Sequence, residues 1–160
     1  MCIRDSIPGN DLDGVVDALN YLTASNKINF GDNVPSFNDG TLNAAGKRVV
    51  VIGGGDTAMD CVRTAIRQGA KSVKCMYRRD RDNMPGSQRE VQNAEEEGVI
   101  FEWLTTPQGF TSNTKTENVV NLETGHGAVK GVIGRKMRLG APDATGRRVP
   151  EEIDGSDYNE

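Results

Sequence analysis

Apolar residues follow a helical spacing near the start of the chain and then alternate between strand-like and helical segments. Residues 15–25 carry apolar side chains at helical spacing, which predicts a helix. Residues 29–45 are rich in Asn, Asp, Gly and Pro, which is typical of a linker. A strand is predicted over Arg48–Ile52, where the continuous apolar run indicates burial on both faces. A helix over 56–68 and a second strand over Ser72–Tyr77 follow. This order predicts a right-handed βαβ unit.

A second helix is predicted over residues 87–97. Ser87 and Glu90 have the spacing of a capping box, in which each side chain accepts a hydrogen bond from the other residue's backbone N–H. Gly98 is expected to end the helix, since glycine readily adopts the left-handed conformation found there. Residues 99–104 follow as a third strand, which extends the parallel sheet.

Beyond the third strand the pattern becomes that of an antiparallel meander. Residues 118–122 and 128–139 are predicted strands joined by a turn at 124–127. A loop at 140–148 leads to a short extended stretch near Ile153. We expect an α/β fold, a Rossmann-like three-layer domain with a parallel sheet and an attached antiparallel β-meander. Because no further buried strand follows, the sheet is expected to stop before its last parallel strand.

Composition and charge exclude several classes of function. Hydrophobic residues make up 36% of the chain and charged residues 26%, which is typical of a soluble globular protein. A net charge of -4 provides no basic field for nucleic acid or anionic lipid. The longest aliphatic run is far too short to span a bilayer. We therefore expect a cytoplasmic protein that binds neither nucleic acid nor membranes.

The cysteines and the histidine offer no metal or redox site. Cys2, Cys61 and Cys75 form no Cys-x-x-Cys pair, and His126 is the only histidine. The absence of a disulfide framework favours a reducing compartment. We expect Cys61 and Cys75 to be small buried hydrophobes and His126 to be a surface residue.

A glycine turn between the first strand and its helix carries the chemistry. Gly53, Gly55 and Ala58 match the pattern G-x-G-x-x-G/A. The first glycine permits a tight turn, the second lets a pyrophosphate approach the backbone, and the alanine allows close packing of helix on strand. The helix N-terminus offers N–H groups to the phosphates. Between a buried strand and an amphipathic helix, this motif predicts dinucleotide binding; the alternative is a glycine-rich turn that binds nothing.

Two arginines follow the second strand, where the fold places the adenosine ribose. An acidic residue there would bind the 2′-hydroxyl of NAD, whereas Arg78 and Arg79 can bind the 2′-phosphate of NADP. The alternative is a solvated pair with Asp80 and Asp82 as exposed partners. We predict NADPH as the ligand, and whether Arg81 assists stays open.

Together these residues resemble the small (β) subunit of NADPH-dependent glutamate synthase, in the disulfide-reductase-like flavoprotein superfamily. The resemblance rests on GGGDTAMDCVR at 53–63, YRRD at 77–80, NMPGS at 83–87 and LGAPDATGRR at 139–148. It implies no catalytic or metal-binding residue in this chain. It implies cofactor-binding roles for Gly53, Gly54, Gly55, Asp56, Thr57, Ala58, Arg78 and Arg79.

The resemblance also implies a function and a division into domains. NADPH would pass a hydride to FAD, and iron–sulfur clusters would carry electrons to a large subunit that makes glutamate. FAD and the clusters would belong to the full-length protein only. Residues 1–6 fit nothing that follows in the sequence and are interpreted as a non-native scar. The resemblance would make residues 7–45 a connecting segment from the FAD domain and residues 46–160 an incomplete NADPH-binding domain. Its partners would be the rest of its own FAD domain and the large subunit.

Two alternatives to this function remain. One is a related NAD(P)H-dependent FAD and iron–sulfur oxidoreductase whose acceptor is ferredoxin, sulfide or a pyrimidine. The other is a non-catalytic module that binds NADPH. The segments 83–87 and 139–148 favour the glutamate synthase interpretation over the first, and the expected loss of a final strand disfavours the second.

Replacing both Arg78 and Arg79 with uncharged glutamine is expected to remove most of a preference for NADPH over NADH of roughly ten- to a hundredfold. The charge-assisted hydrogen bonds to the 2′-phosphate would be lost, while NADH lacks this group and would bind as before. Calorimetric titration of both proteins with both cofactors measures the preference. Equal binding of the two cofactors by the unmodified chain would contradict the prediction.

Overall fold

The computed structural model describes residues 7–112 and 128–160, which form two three-stranded sheets and a set of helices. The helices are α1 (Ala18–Asn29), α2 (Pro35–Asn38), α3 (Asp56–Arg67) and α4 (Gln88–Glu96). The strands are β1 (Arg48–Ile52), β2 (Ser72–Tyr77), β3 (Ile100–Trp103), β4 (Thr105–Ser112), β5 (Val129–Pro142) and β6 (Arg148–Asn159). Strands β1, β2 and β3 are parallel, and β4, β5 and β6 are antiparallel, in that order. The predicted fold class is therefore confirmed.

The parallel sheet has helices on one face and the antiparallel sheet on the other. Alternate residues of β2, including Val73 and Cys75, join Val62 of α3 in the core. Each fully buried aliphatic side chain of this kind contributes roughly 1.5–3 kcal/mol. On the opposite face, Lys74 of β2 forms an ion pair with Glu160, at the end of the antiparallel sheet. The three layers are thus in direct contact.

Strand β1 has the predicted bounds but not the predicted burial on both faces. Its middle residues are half-buried, and Ile52 is 40% exposed. In the described part of the chain, β1 is an edge strand that pairs only with β2. A continuous run of β-branched residues therefore indicated a strand correctly but did not show how many faces are covered.

Helix α1 and the linker after it differ from the prediction. The helix spans Ala18–Asn29 rather than 15–25, because the Asp17 carboxylate accepts hydrogen bonds from two backbone N–H groups of its first turn and so fixes the start. The predicted linker contains the short helix α2. This helix begins with Pro35. Proline is suited to the first position because the N–H of that residue has no hydrogen-bond partner within a helix.

The capping box predicted at the start of α4 does not form. The Ser87 side chain makes no capping hydrogen bond. The Glu90 carboxylate instead forms an ion pair with Arg63 of α3, whose guanidinium also binds Glu97 at 2.8 Å. A tertiary ion pair therefore outcompetes the local cap, and it holds the two helices together.

The antiparallel sheet is longer than the sequence pattern indicated. Strand β5 begins one residue later than predicted and ends three residues later, at Pro142, which shortens the predicted loop at 140–148. Strand β4 was not predicted, because Thr105, Pro107 and Gly109 occupy its buried positions. The short stretch expected near Ile153 is the 12-residue strand β6.

Several sequence predictions fall outside the described residues. They are the proposed scar at 1–6, the strand at 118–122, the turn at 124–127 with His126, and Cys2. The division of the chain at residues 45 and 46 also stays a prediction. Among the described residues, no helix is long and apolar enough to cross a membrane.

Leu104 links the two sheets beside the end of β2. It has a left-handed backbone conformation, with a φ of 53°, which is uncommon for a residue other than glycine. Its N–H donates to the carbonyl of Arg79 at 3.1 Å, and its carbonyl accepts from the N–H of Met137 on β5 at 2.7 Å. These bonds hold the antiparallel sheet against the end of β2, where the predicted site lies.

Replacing Glu97 with glutamine should destabilise the fold at neutral pH by roughly 0.5–1 kcal/mol, the usual size of a partly exposed ion pair. The hydrogen bond from Arg63 lowers the pKa of Glu97. Since the folded-state pKa is depressed, the stabilisation is present above the unfolded-state pKa and is lost as pH falls through the folded-state pKa. The difference in free energy of unfolding should therefore shrink in acid. Urea unfolding over a pH series measures it.

Glu96 provides the matched control for this change. It lies on the same helix, is exposed and forms no ion pair with a described residue. Glu96→Gln should leave the free energy of unfolding nearly unchanged across the same pH range. A destabilisation by Glu97→Gln that does not vary with pH would contradict the assignment.

Candidate functional site

The glycine turn adopts the geometry that dinucleotide binding requires. Gly53 has a φ of 144°, a conformation that favours glycine, and its N–H donates to the carbonyl of Met76 on β2 at 3.1 Å. A Cβ on Gly53 would lie 3.6 Å from the Cβ of Ala58, so helix and turn are close. Gly55 is the N-cap of α3, and no side chain caps the helix start. The N–H groups of Asp56 and Thr57 are therefore available to a ligand.

The middle glycine serves the protein rather than the ligand. A Cβ on Gly54 would lie 2.5 Å from carbons of the Tyr77 ring, which is shorter than any real contact. At Gly55, by contrast, a Cβ would meet nothing within 4 Å. The two adjacent glycines therefore have different reasons to be glycine: Tyr77 fills the space at Gly54, and the space at Gly55 is open.

The segment Asp80–Ser87, which we call the clamp loop, lies against the glycine turn. The N–H of Gly86 donates to the Gly54 carbonyl at 2.9 Å, and a Cβ on Gly86 would come within 3.0 Å of that oxygen. The Asp56 carboxylate accepts from the N–H of Ser87 at 3.1 Å. The predicted site residue Asp56 thus positions the clamp loop beside the start of α3.

Asn83 is the point at which three parts of the structure meet. Its carbonyl accepts hydrogen bonds from the Tyr77 hydroxyl at 3.2 Å and from the guanidinium of Arg147, in the β5–β6 loop, at 2.9 Å. The Asp80 carboxylate accepts from the Asn83 N–H at 3.0 Å and from its side-chain amide at 2.7 Å. The clamp loop is thereby fixed to β2 and to the antiparallel sheet.

The two predicted cofactor-selecting arginines lie in different environments. Arg78 is exposed and forms no hydrogen bond or ion pair with a described residue. Arg79 is only 8% exposed, and its Nε donates to the carbonyl of Arg148 at 2.9 Å. Arg78 is therefore available to a ligand, whereas Arg79 also joins β2 to β6. Their binding of a 2′-phosphate stays a prediction.

Arg81 is held by helix α4. Its guanidinium donates to Gln88 at 3.3 Å and forms an ion pair with Glu95 at 2.9 Å. This pairing neutralises its charge and favours a structural role over help in phosphate binding. Arg81 could therefore help to bind a phosphate only if the ligand displaced Glu95 from its guanidinium.

A cavity of about 450 Å³ lies beside the exposed arginine. One side of the cavity is formed by the segment at Ile7 and Pro8, which contacts the antiparallel sheet where the Phe110 N–H donates to the Pro8 carbonyl at 2.9 Å. Its lining is mainly polar or small and includes Ile7, Pro8, Arg78, Thr106, Pro107, Gln108, Met137, Pro150 and Glu152.

The cysteines are buried, as predicted. Burial raises the pKa of the Cys75 thiol to about 12 and that of Cys61 to about 11, the nearby Asp60 adding to the second shift. Neither thiol is therefore reactive at neutral pH. No group of three potential metal ligands occurs within residues 7–112 and 128–160.

Sequence reasoning identified the glycine turn and the arginines but missed their supports. Thr57, which was predicted to bind the cofactor, is exposed on the first turn of α3. The roles of Tyr77, Asn83 and Arg147 could not be read from the motif, since each depends on a contact between distant segments. The resemblance at 83–87 and 139–148 was the only signal that these segments matter.

Comparisons with known proteins identify the family and several relatives. Residues 4–136 match the family of pyridine nucleotide-disulphide oxidoreductases. A putative glutamate synthase (NADPH) small chain of Cereibacter sphaeroides is 65% identical over 96% of this chain and 33% of its own length. A glutamate synthase (NADPH) small chain of Azospirillum brasilense is 58% identical over 94% of this chain and 29% of its own length. The chain thus spans about a third of the length of these relatives.

A solved structure matches this chain at lower similarity. The thioredoxin reductase of T. acidophilum aligns with a TM-score of 0.46 at 21% identity, over 75% of this chain and 32% of that chain.

Substituting the two adjacent glycines should separate folding from binding. Gly55→Ala should leave the free energy of unfolding nearly unchanged, because its φ of -91° and ψ of 174° suit alanine and the space is open. It should weaken NADPH binding, because the methyl group would stand where the pyrophosphate is expected. Gly54→Ala should cost about 1–3 kcal/mol, since its methyl group overlaps the Tyr77 ring.

Urea unfolding and NADPH titration of both variants measure these effects. The substitutions differ by one position and add the same methyl group, so each is the control for the other. Unweakened NADPH binding by Gly55→Ala, or unchanged stability of Gly54→Ala, would contradict the assignment.

Proposed function

The chain belongs to the family of pyridine nucleotide-disulphide oxidoreductases, and we propose that it is the NADPH-binding part of a glutamate synthase small subunit. In this role it would hold NADPH so that a hydride passes to FAD for glutamate synthesis. The similarity to NADPH glutamate synthase small chains over nearly the whole chain supports this proposal.

The open backbone at Gly55 is the observation that carries the proposal. The turn leaves space at this glycine and ends at a helix start without a side-chain cap. A diphosphate placed there would accept hydrogen bonds from the N–H groups of Asp56 and Thr57 and would be stabilised by the helix dipole. Tyr77 and the clamp loop hold this surface in place before any ligand binds, which reduces the entropy lost on binding.

Arg78 supports NADPH over NADH. It follows β2, which is parallel and adjacent to the strand that ends in the glycine turn, so both features lie at the same edge of the sheet. A dinucleotide with its pyrophosphate at the turn would extend its adenosine ribose towards that strand end. An unpaired guanidinium there suits a 2′-phosphate dianion and offers nothing that a 2′-hydroxyl specifically needs.

FAD would be the acceptor of the hydride in the full-length protein. The described residues contain a single glycine turn of the dinucleotide type, and NADPH occupies it in this proposal. The protein's own contribution in this chain is to bind NADPH and to orient its nicotinamide. Iron–sulfur clusters and a large subunit that makes glutamate are the further partners that the proposal assigns to the whole enzyme.

We predict that the chain binds NADPH but does not oxidise it. Calorimetry should show one NADPH per chain, while the near-ultraviolet absorbance of the nicotinamide should stay constant in the presence of dye acceptors. The reason is that the chain supplies a nucleotide site and no hydride acceptor. Stoichiometric flavin in the purified chain, or steady NADPH consumption, would contradict this division of roles.

The glutamate synthase assignment is tested on the full-length protein that contains this chain. Combined with its large subunit, it should form glutamate from glutamine and 2-oxoglutarate with NADPH as the electron donor. Gly55→Ala in that protein should raise the KM for NADPH. NADPH oxidation that supports only ferredoxin, sulfide or pyrimidine turnover would overturn the assignment to glutamate synthase and leave the NADPH site intact.

A further inference from the structure

Arginines from two distant segments meet at the end of β2. Arg79 donates from Nε to the carbonyl of Arg148 at 2.9 Å, so the β5–β6 loop lies directly beside the strand end. Its neighbour Arg147 donates from Nη2 to the carbonyl of Asn83 at 2.9 Å. With Arg78 at the same strand end, the antiparallel sheet brings additional positive charge to the predicted adenosine site.

These arginines differ from most others in having no carboxylate partner. None of the four forms an ion pair with a described residue. Elsewhere in the described chain, carboxylates pair with Arg63, Arg67, Arg81, Arg135 and Arg138. In a chain with a net charge of -4, carboxylates are abundant enough to pair them. Uncompensated positive charge gathered at one place is the feature of an anion-binding site.

The two neighbouring arginines of the β5–β6 loop differ in what they contact. Arg148 donates from Nε to the Gly140 carbonyl at 3.0 Å and from Nη2 to the Leu139 carbonyl at 2.9 Å, so it binds the end of β5. Arg147 is half-buried, and its guanidinium makes one hydrogen bond to a described residue, the Asn83 carbonyl of the clamp loop, which leaves its other side-chain N–H groups available.

The acidic residues nearby are occupied by their own segments. The Asp143 carboxylate accepts from the backbone N–H groups of Thr145 and Arg147 at 2.8 and 3.1 Å. The Asp80 carboxylate accepts from the backbone and side chain of Asn83. Both carboxylates stabilise turns, and neither forms an ion pair with Arg147 in the described part of the chain. Hydrogen bonds from Thr145 lower the pKa of Asp143, and the charge of Arg79 adds to this shift.

We propose that Arg147 is a specificity-determining residue that binds the 2′-phosphate of NADPH together with Arg78. The inference rests on the proposed function, namely that the glycine turn binds NADPH. The bond to the Asn83 carbonyl positions the Arg147 guanidinium, and its free N–H groups form charge-assisted hydrogen bonds to the phosphate. Arg79 positions the loop through the Arg148 carbonyl. Discrimination between NADPH and NADH then depends on the antiparallel sheet as well as on β2.

Adenosine 2′,5′-bisphosphate and 5′-AMP provide the test, because they differ only in the 2′-phosphate. The full chain and its Arg147→Gln variant are titrated with each nucleotide by calorimetry. Arg147→Gln should weaken binding of the bisphosphate about tenfold, as expected for the loss of a partly exposed charge-assisted bond, and leave 5′-AMP binding nearly unchanged. It should also reduce the dependence of bisphosphate binding on salt. Arg147→Lys should recover part of the affinity, since charge remains without the planar fork.

Lys71→Gln is the matched control for charge. Lys71 is exposed and precedes β2, so it lies at the opposite end of this strand from Arg78, roughly 20 Å away. The Lys71→Gln substitution removes the same charge as Arg147→Gln and should leave the discrimination between the two nucleotides unchanged. Thermal unfolding of each variant verifies that the fold is retained.

Three results would overturn the inference. Unchanged bisphosphate binding by Arg147→Gln, with an unmodified chain that prefers the bisphosphate, would show that Arg147 does not bind the 2′-phosphate. An equal loss of both nucleotides would show that it acts only through the clamp loop. Failure of the unmodified chain to bind NADPH and both nucleotides would overturn the proposed function and the inference together.

Discussion

The contact between the Tyr77 ring and the backbone of Gly54 is the constraint on which the site depends. The ring occupies the space that any side chain at Gly54 would need, and its hydroxyl donates to the Asn83 carbonyl. One side chain at the end of β2 therefore fixes both the turn that follows β1 and the loop that follows β2 itself. The backbone at Gly55 remains open because its neighbours are held by the protein and need no ligand to order them.

The elements of the parallel sheet could be predicted because their signals are local. A run of β-branched residues, a glycine turn and an amphipathic helix fall in sequence order, so β1 and β2 have the predicted bounds. The failures have long-range causes. Glu90 matched a capping box, but an ion pair with Arg63 is available only after α3 and α4 pack together. Strand β4 has buried Thr, Pro and Gly positions, and strand β6 is largely exposed, so neither shows an apolar alternation.

In the candidate site, too, the features with local causes could be predicted and those that depend on tertiary contacts could not. The roles of Gly53 and Ala58 follow from backbone geometry within six residues and could be predicted, and their conformation agrees. The sequence could not distinguish Arg78 from Arg79, because alternation along a strand says which face each occupies but not what covers that face. Arg79 is buried and donates to the Arg148 carbonyl because β6 packs beside it, whereas Arg78 stays exposed.

The antiparallel sheet is in direct contact with the predicted nucleotide site. Leu104 joins the Arg79 carbonyl to Met137 of β5, and Arg147 reaches the clamp loop from the following turn. Any displacement of this sheet would move the guanidinium of Arg147 and the Asn83 carbonyl together. The glycine turn is held by the Tyr77 ring and also by the clamp loop, whose Gly86 N–H donates to the Gly54 carbonyl. In the proposed NADPH site, pyrophosphate binding and recognition of the ribose substituent would therefore share the clamp loop as a support, because this loop contacts both the glycine turn and Arg147.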